Sequence, residues 1–197
     1  MENYKETIKQ LSVEGVKMPK KRFCAALPNA RQIMRTVLEQ VCEELGEKAE
    51  WLPEYEGVAN WLADNHGKGL LLYGSCGRGK SLLVRYVIPI IFRRHYNRIF
   101  TVVNCSRSAK VDVSEVLQRR FVVLDDIGAE EVQSDYGTKR NVVSEMICTA
   151  HDEADRLIIA STNLNGDELR ERYGNRIYDR MIYLFDRIGF AGESLRK

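Results

Sequence analysis

The 197-residue sequence predicts an α/β fold built on a parallel sheet flanked by helices. Three features carry that expectation. Short apolar runs at 70–73, 121–124 and 157–160 show no polar alternation, as strands buried on both faces do, and 99–104 is a β-branched strand. Segments with apolar residues at helical spacing lie between them. One strand-to-helix junction is a glycine-rich turn, Gly74-Ser75-Cys76-Gly77-Arg78-Gly79. Such alternation closes by right-handed crossovers, and the C-terminal strand ends then converge on one crevice.

Residues 1–28 are polar and end in Lys17-Met18-Pro19-Lys20-Lys21-Arg22. No sustained apolar period marks them, so they are expected to form a mobile basic arm, a solvated linker or a nucleic-acid contact. Residues 29–53 form an N-terminal helical segment: Ile33, Met34, Val37, Leu38, Val41, Cys42 and Leu45 share a face, with Asn29 as N-cap and Gly46 as the stop. The core is expected over 54–197. A second helix covers Glu54–Asn65, and 66–69 turn the chain into the first strand. The helix over Leu82–Phe92 is apolar nearly all round and therefore buried, and Pro89 should kink or shorten it. The strand at 99–104, a polar stretch at 105–120, the strand at 121–124 and a helix around Val142–Ala150 follow. The last clear strand is 157–160, and after Gly174 a helix presents Ile177, Met181 and Leu184 on one face.

The glycine-rich turn carries the chemistry. Leu70-Leu71-Leu72-Tyr73 runs into Gly74-Ser75-Cys76-Gly77-Arg78-Gly79-Lys80-Ser81, a full match to G-x-x-x-x-G-K-[ST]. Gly74, Gly77 and Gly79 can adopt backbone angles that aim successive N–H groups at a phosphate chain. The helix beginning near Lys80 adds its positive end. Lys80 offers a charge to the β- and γ-phosphates, and Ser81 a hydroxyl to Mg²⁺. This predicts a P-loop nucleotide phosphate site, rather than a turn that binds nothing.

The run at 121–124 ends in Asp125-Asp126. A carboxylate at the C-terminal end of a buried neighbouring strand can hold the nucleotide's Mg²⁺, and Asp125 is the candidate. Asp126 could polarise a water attacking the γ-phosphate, or merely cap the turn before Gly128. At the next strand end, Ser161-Thr162-Asn163 offers Asn163 or Thr162 to the γ-phosphate or its water. Arg176 and Arg180 stand four apart, either paired with Asp179 and solvated or facing an anion.

Composition narrows the classes. A net charge of +2 excludes a chain that is basic throughout, so any nucleic-acid contact must be a local patch, with Arg107 and Lys110 as first candidates and Lys20-Lys21-Arg22 as the next. No apolar run is long enough to cross a membrane, and the first residues lack a signal-peptide pattern. The five cysteines are scattered without a C-x-x-C pair, which argues against a zinc site or a disulfide framework and for a cytoplasmic location.

With the P-loop, Leu124-Asp125-Asp126-Ile127-Gly128, Ser161-Thr162-Asn163 and Tyr173-Gly174-Asn175-Arg176-Ile177-Tyr178-Asp179-Arg180-Met181 in this order, the chain resembles the DnaC/IstB group of AAA+ ATPases. These are replicative helicase loaders of the DnaC and DnaI type and IstB-type transposition helpers. The resemblance spans roughly 54–197. It implies a five-stranded parallel AAA+ core with little or no C-terminal lid domain, binding ATP and Mg²⁺ and assembling into a ring or filament around single-stranded DNA. It further implies that Lys80 and Ser81 are the Walker A residues, Asp125 and Asp126 the Walker B pair, Asn163 sensor 1, Arg176 an arginine finger and Arg196 a terminal sensor 2. The chain departs from some loaders in lacking an upstream cysteine-rich zinc module and in its short N-terminal region.

The expected function is therefore a Mg²⁺-dependent ATPase that loads a hexameric helicase in DNA replication. An IstB-type transposition helper with a transposase partner is the close alternative. A P-loop small-molecule kinase is the alternative of another class, but it requires neither the Asp-Asp pair nor the Arg176/Arg180 block. A GTPase is disfavoured because no Asn-Lys-x-Asp segment is present.

Overall fold

The computed structural model describes residues 4–16, 20–130, 133–135 and 138–195. Helix α1 (Lys5–Val13) is followed by α2 (Ala30–Glu44) and α3 (Tyr55–Ala63), and β1 (Gly69–Gly74) then enters the P-loop. The helix after the loop begins as α4 (Lys80–Leu82), widens into a π-turn at Leu83–Val87 and continues as α5 (Ile88–Tyr96). Strand β2 (Thr101–Asn104), a 3-10 turn at Cys105–Lys110, α6 (Val113–Leu117) and β3 (Phe121–Ile127) come next. A small hairpin, β4 (Gln133–Asp135) with β5 (Thr138–Arg140), precedes α7 (Val142–Asp152), β6 (Leu157–Thr162), α8 (Gly166–Leu184) and β7 (Phe185–Phe190).

Five strands form one parallel sheet in the order β2-β3-β6-β1-β7. The unalternating runs are explained by helices on both faces. Leu70, Leu72, Val123 and Ile159 point into the layer of α2, α3 and α5. Leu71, Val122, Leu124, Ile158 and Ala160 point into the layer of α6, α7 and α8. The parallel α/β architecture expected from the sequence is the one observed, and among the described residues no helix follows β7.

Several elements differ from their sequence expectation. The stretch expected as a mobile arm contains α1, whose Ile8 and Leu11 sit at helical spacing with the N-cap Tyr4, without any residue being buried. The same stretch ends in a segment packed on the core. Ala25 and Leu27 are buried, and the Ala25 N–H donates to Asn65 Oδ1 at 2.8 Å while Asn65 Nδ2 donates to the Phe23 carbonyl. Phe23-Cys24-Ala25-Ala26-Leu27 is a short apolar run without polar alternation, and burial picks out only Ala25 and Leu27 fully, so no period marks the segment in the sequence. Asn29 is the N-cap of α2 by position, but it lies at φ 57° and its side chain caps nothing.

Pro89 does not break its helix. The π-turn at Leu83–Val87 directly precedes it and accommodates the missing donor and the ring, leaving Pro89 in the first turn of α5. The edge strand β7 carries Asp186 and Arg187 between its apolar residues, so it lacks the continuous apolar run of a buried strand.

Candidate functional site

The P-loop joins β1 to α4 with Gly74, Gly77 and Gly79 at φ 112°, 75° and 79°. Gly79 is fixed twice over. A β-carbon there would lie 2.2 Å from the Tyr55 hydroxyl, which itself donates to the Arg78 carbonyl at 3.3 Å. Ser75 and Cys76 are exposed, Ser81 is half-buried, and Lys80 is buried. Lys80 Nζ donates to the carbonyls of Gly74 and Ser75 at 2.8 and 2.7 Å and to Asn163 Oδ1 at 2.9 Å.

Arg78 does not line the loop with the other residues. Its guanidinium bonds Glu54 Oε1 at 2.5 Å and the Glu193 carbonyl at 3.0 Å, with both side chains of the ion pair nearly buried. Burial alone would raise the Glu54 carboxyl, but the Arg78 guanidinium together with a backbone N–H bond holds Glu54 below the usual carboxylate range. Arg78 thereby ties the start of α3 to the stretch after β7. That stretch runs along the P-loop: Ser75 N–H donates to the Phe190 carbonyl at 2.8 Å and Leu195 N–H to the Gly77 carbonyl at 2.9 Å.

The acidic pair sits at the C-terminal end of β3, beside β6. Asp125 is buried and accepts from Ser161 Oγ at 2.6 Å. The same Ser161 oxygen accepts the Asp126 N–H at 2.9 Å. Arg85, from the π-turn, lies 3.9 Å from the other Asp125 oxygen. Register between β3 and β6 breaks between Leu124 and Ile127, and Asp126 takes φ 63° there. This local twist, which strand alternation does not foresee, turns Asp126 to accept from Asn163 Nδ2 at 3.1 Å. Asn163 therefore bridges Lys80 and Asp126. Burial, then the neighbouring Asp125 and Glu130, push the Asp126 carboxyl above its ordinary value against the pull of Lys80.

Thr162 takes a different part. Its hydroxyl donates to the Ile127 carbonyl at 2.7 Å and accepts from Leu164 N–H, so it is committed to the backbone. Of the two residues offered by sequence for the phosphate, Asn163 stands in the cluster.

Glu130 carries no signal in the sequence. Its side chain is wholly buried and accepts from Gly128 N–H at 2.7 Å, Asn141 Nδ2 at 3.0 Å and the Tyr173 hydroxyl at 2.6 Å. Arg172 Nε stands 3.6 Å away. Only a carboxylate could satisfy this ring of donors, but most of them come from distant positions, so no local motif announces it. Glu130 links the turn after Asp126 to the first half of α8, which kinks at Gly174 (φ 79°).

Beyond that kink, Arg176 is exposed, and its charge acts on Asp152 at the end of α7. Arg180 lies 3.8 Å from Asp152 of α7, rather than pairing with Asp179. Arg107 is exposed in the 3-10 turn. The Lys110 side chain and Arg196 lie outside the described residues.

Lys80, Asp125, Asp126 and Asn163 thus meet at the C-terminal ends of β1, β3 and β6, where a parallel sheet presents its ligand crevice. Donor chemistry there fits a Mg²⁺-nucleotide: a lysine ammonium, a helix N-terminus, a serine in its first turn and a buried carboxylate.

No protein-family model and no curated protein matches the sequence. Among solved structures, DnaI is 20% identical with a TM-score of 0.57, covering 85% of this chain and 96% of that one. The DnaC helicase loader is 19% identical with a TM-score of 0.50, covering 89% and 94%. The chain has the P-loop AAA+ fold of DnaI and DnaC.

Proposed function

We propose that this chain is a cytoplasmic ATP-hydrolysing member of the DnaC/IstB group, acting on single-stranded DNA as a loader of a hexameric replicative helicase. The observation that carries the ATPase reading is the Lys80–Asn163–Asp126 chain beside the buried Asp125. A kinase needs no such second carboxylate next to its metal ligand. The loader reading rests on the likeness in fold to DnaI and the DnaC helicase loader.

The P-loop N–H groups from Gly74 to Ser81 would hold the phosphates. Lys80 would bring to them the donors it now gives to the Gly74 and Ser75 carbonyls. Ser81 and Asp125 would hold Mg²⁺, which neutralises charge on the transferring phosphoryl group. Ser161 supports this by fixing one Asp125 oxygen, while Arg85 lies 3.9 Å from the other. Asp126 accepts the proton of the attacking water, and its raised affinity for protons brings it closer to a working base. Asn163 orients that water. Arg196, outside the described residues, is the sensor 2 candidate of this reading.

Arg176, exposed on α8, acts as a finger on the ATP of a neighbouring subunit in a ring or filament. The test mixes two dead variants, Arg176→Ala and Lys80→Ala. Mixed interfaces would pair an intact P-loop with an intact finger, and ATPase activity should partly return. An arginine finger is worth about 10³ to 10⁵ in rate, so the recovery is readily measured. Mixtures that assemble but stay inactive would refute a role for Arg176 across subunits.

A further inference from the structure

The strands have a second end, and beside β3 it gathers several cations. Lys20 and Arg120 both reach Asp155, at 3.0 and 3.2 Å, just ahead of β3 and β6. Phe23 pins the segment bearing Lys20 and Lys21 to this end of the sheet. Its ring lies 5.2 Å from Phe121, at the start of β3, and 5.5 Å from Tyr96, at the end of α5. The Arg98 guanidinium lies over both Phe23 and Phe121, at 5.7 and 5.5 Å from the ring centres. Arg93 and Arg94 occupy the last turn of α5 alongside.

Among the described residues, Lys21, Arg94 and Arg98 are exposed and pair with no carboxylate. A concentration of this size on a chain of net charge +2 means that the remaining surface is acidic on balance. Helix-dipole complementation accounts for Arg93 and Arg94 in the last turn of α5, but not for Lys21 or Arg98, which lie outside any helix.

The geometry points to this face as a binding surface for the phosphate backbone of a nucleic acid, at the opposite end of the sheet from the nucleotide site. β3 alone separates the two by roughly 20 Å. Guanidinium groups dominate the face, and their planar forks match phosphate oxygens. Arg98 is oriented by stacking and Lys20 and Arg120 by the carboxylate between them, so less side-chain freedom is lost on binding. The surface reads no bases, and its binding is indifferent to sequence and steep in salt. This inference deepens the DNA part of the reading above and names the face that carries it.

The test measures binding of a fluorescent thymidine oligonucleotide to the full chain across a salt series. Lys21→Gln/Arg94→Gln/Arg98→Gln should flatten the slope of log affinity against log salt by about 2, since each phosphate on a single strand that is no longer neutralised removes roughly 0.7. Because Arg98 packs on two rings, Lys21→Gln/Arg94→Gln provides a second variant at purely exposed positions, with about 1.4 expected. ATP hydrolysis without DNA should be unchanged in both. Slopes equal to wild type overturn the assignment of this face alone. A wild-type chain that binds no oligonucleotide overturns the DNA reading with it. Displacement of the oligonucleotide by poly-glutamate at equal charge concentration overturns the proposal in favour of an acidic protein partner.

Discussion

Removing the Glu130 carboxylate is the sharpest test of how the site is supported. The group is wholly buried and accepts from Gly128, Asn141 and Tyr173, with Arg172 at 3.6 Å. Glu130→Ala leaves three donors without their acceptor in a place water does not reach. Breaking a buried pair by deleting one partner typically costs about 3 to 5 kcal/mol. Arg172 is about one-third exposed and can turn to solvent, which favours the lower end. The expected loss is therefore about 3 kcal/mol, within a total of about 5 to 15 for a domain, so the variant still folds. In thermal unfolding that corresponds to a fall of about 6 to 12 °C for a chain of this size. Glu130→Gln should lose less, because one amide oxygen still accepts, but its NH₂ must face a donor. Tyr173→Phe should cost about 1.5 kcal/mol, the worth of one bond to a charged group. The double variant should lose less than the two single losses added together, since both act on one network. A Glu130→Ala loss below about 1 kcal/mol would refute the reasoning, because so small a change lies in the range of substitutions away from buried networks.

Two further substitutions test the site itself. Asp126→Asn should lower ATP turnover by about 10² to 10⁴, the typical worth of a positioned base, yet raise stability at neutral pH. The folded carboxyl holds its proton more tightly than the unfolded one, so its contribution to stability is full at low pH and lost as pH rises through the folded value. At neutral pH the charge is a liability that asparagine removes, and asparagine also tolerates φ 63°. Melting curves at neutral and acidic pH check the sign, and a variant less stable at neutral pH would refute it. Gly79→Ala should weaken both stability and nucleotide binding, because its β-carbon would meet the Tyr55 hydroxyl at 2.2 Å and the left-handed backbone costs about 1 to 2 kcal/mol. Adding Tyr55→Phe should recover part of the loss, as measured by thermal unfolding. No recovery would mean that backbone strain alone is responsible.

What the sequence disclosed and what it hid divide along one physical line. The P-loop, the Asp125-Asp126 pair and Asn163 each stand at or just after the end of an apolar run, so local pattern places them at the C-terminal ends of parallel strands. Their supports are tertiary. Ser161 reaches Asp125 across a strand boundary, Arg85 arrives from a π-turn, and Glu130 gathers donors from three separate elements. No spacing rule relates such residues, because the fold rather than the chain makes them neighbours. Arg78 shows the converse: its place in the motif suggests phosphate, but a buried glutamate twenty-four positions upstream claims it. An arginine committed at 2.5 Å to Glu54 and held by the Glu193 carbonyl cannot also swing to a phosphate without releasing both the start of α3 and the stretch after β7. Any rearrangement of that stretch, including one that would bring the residue after Leu195 to the nucleotide, must therefore be felt by Arg78 and by the loop whose Gly77 carbonyl Leu195 holds. The P-loop is thus mechanically tied to the end of the described chain, through contacts no motif contains.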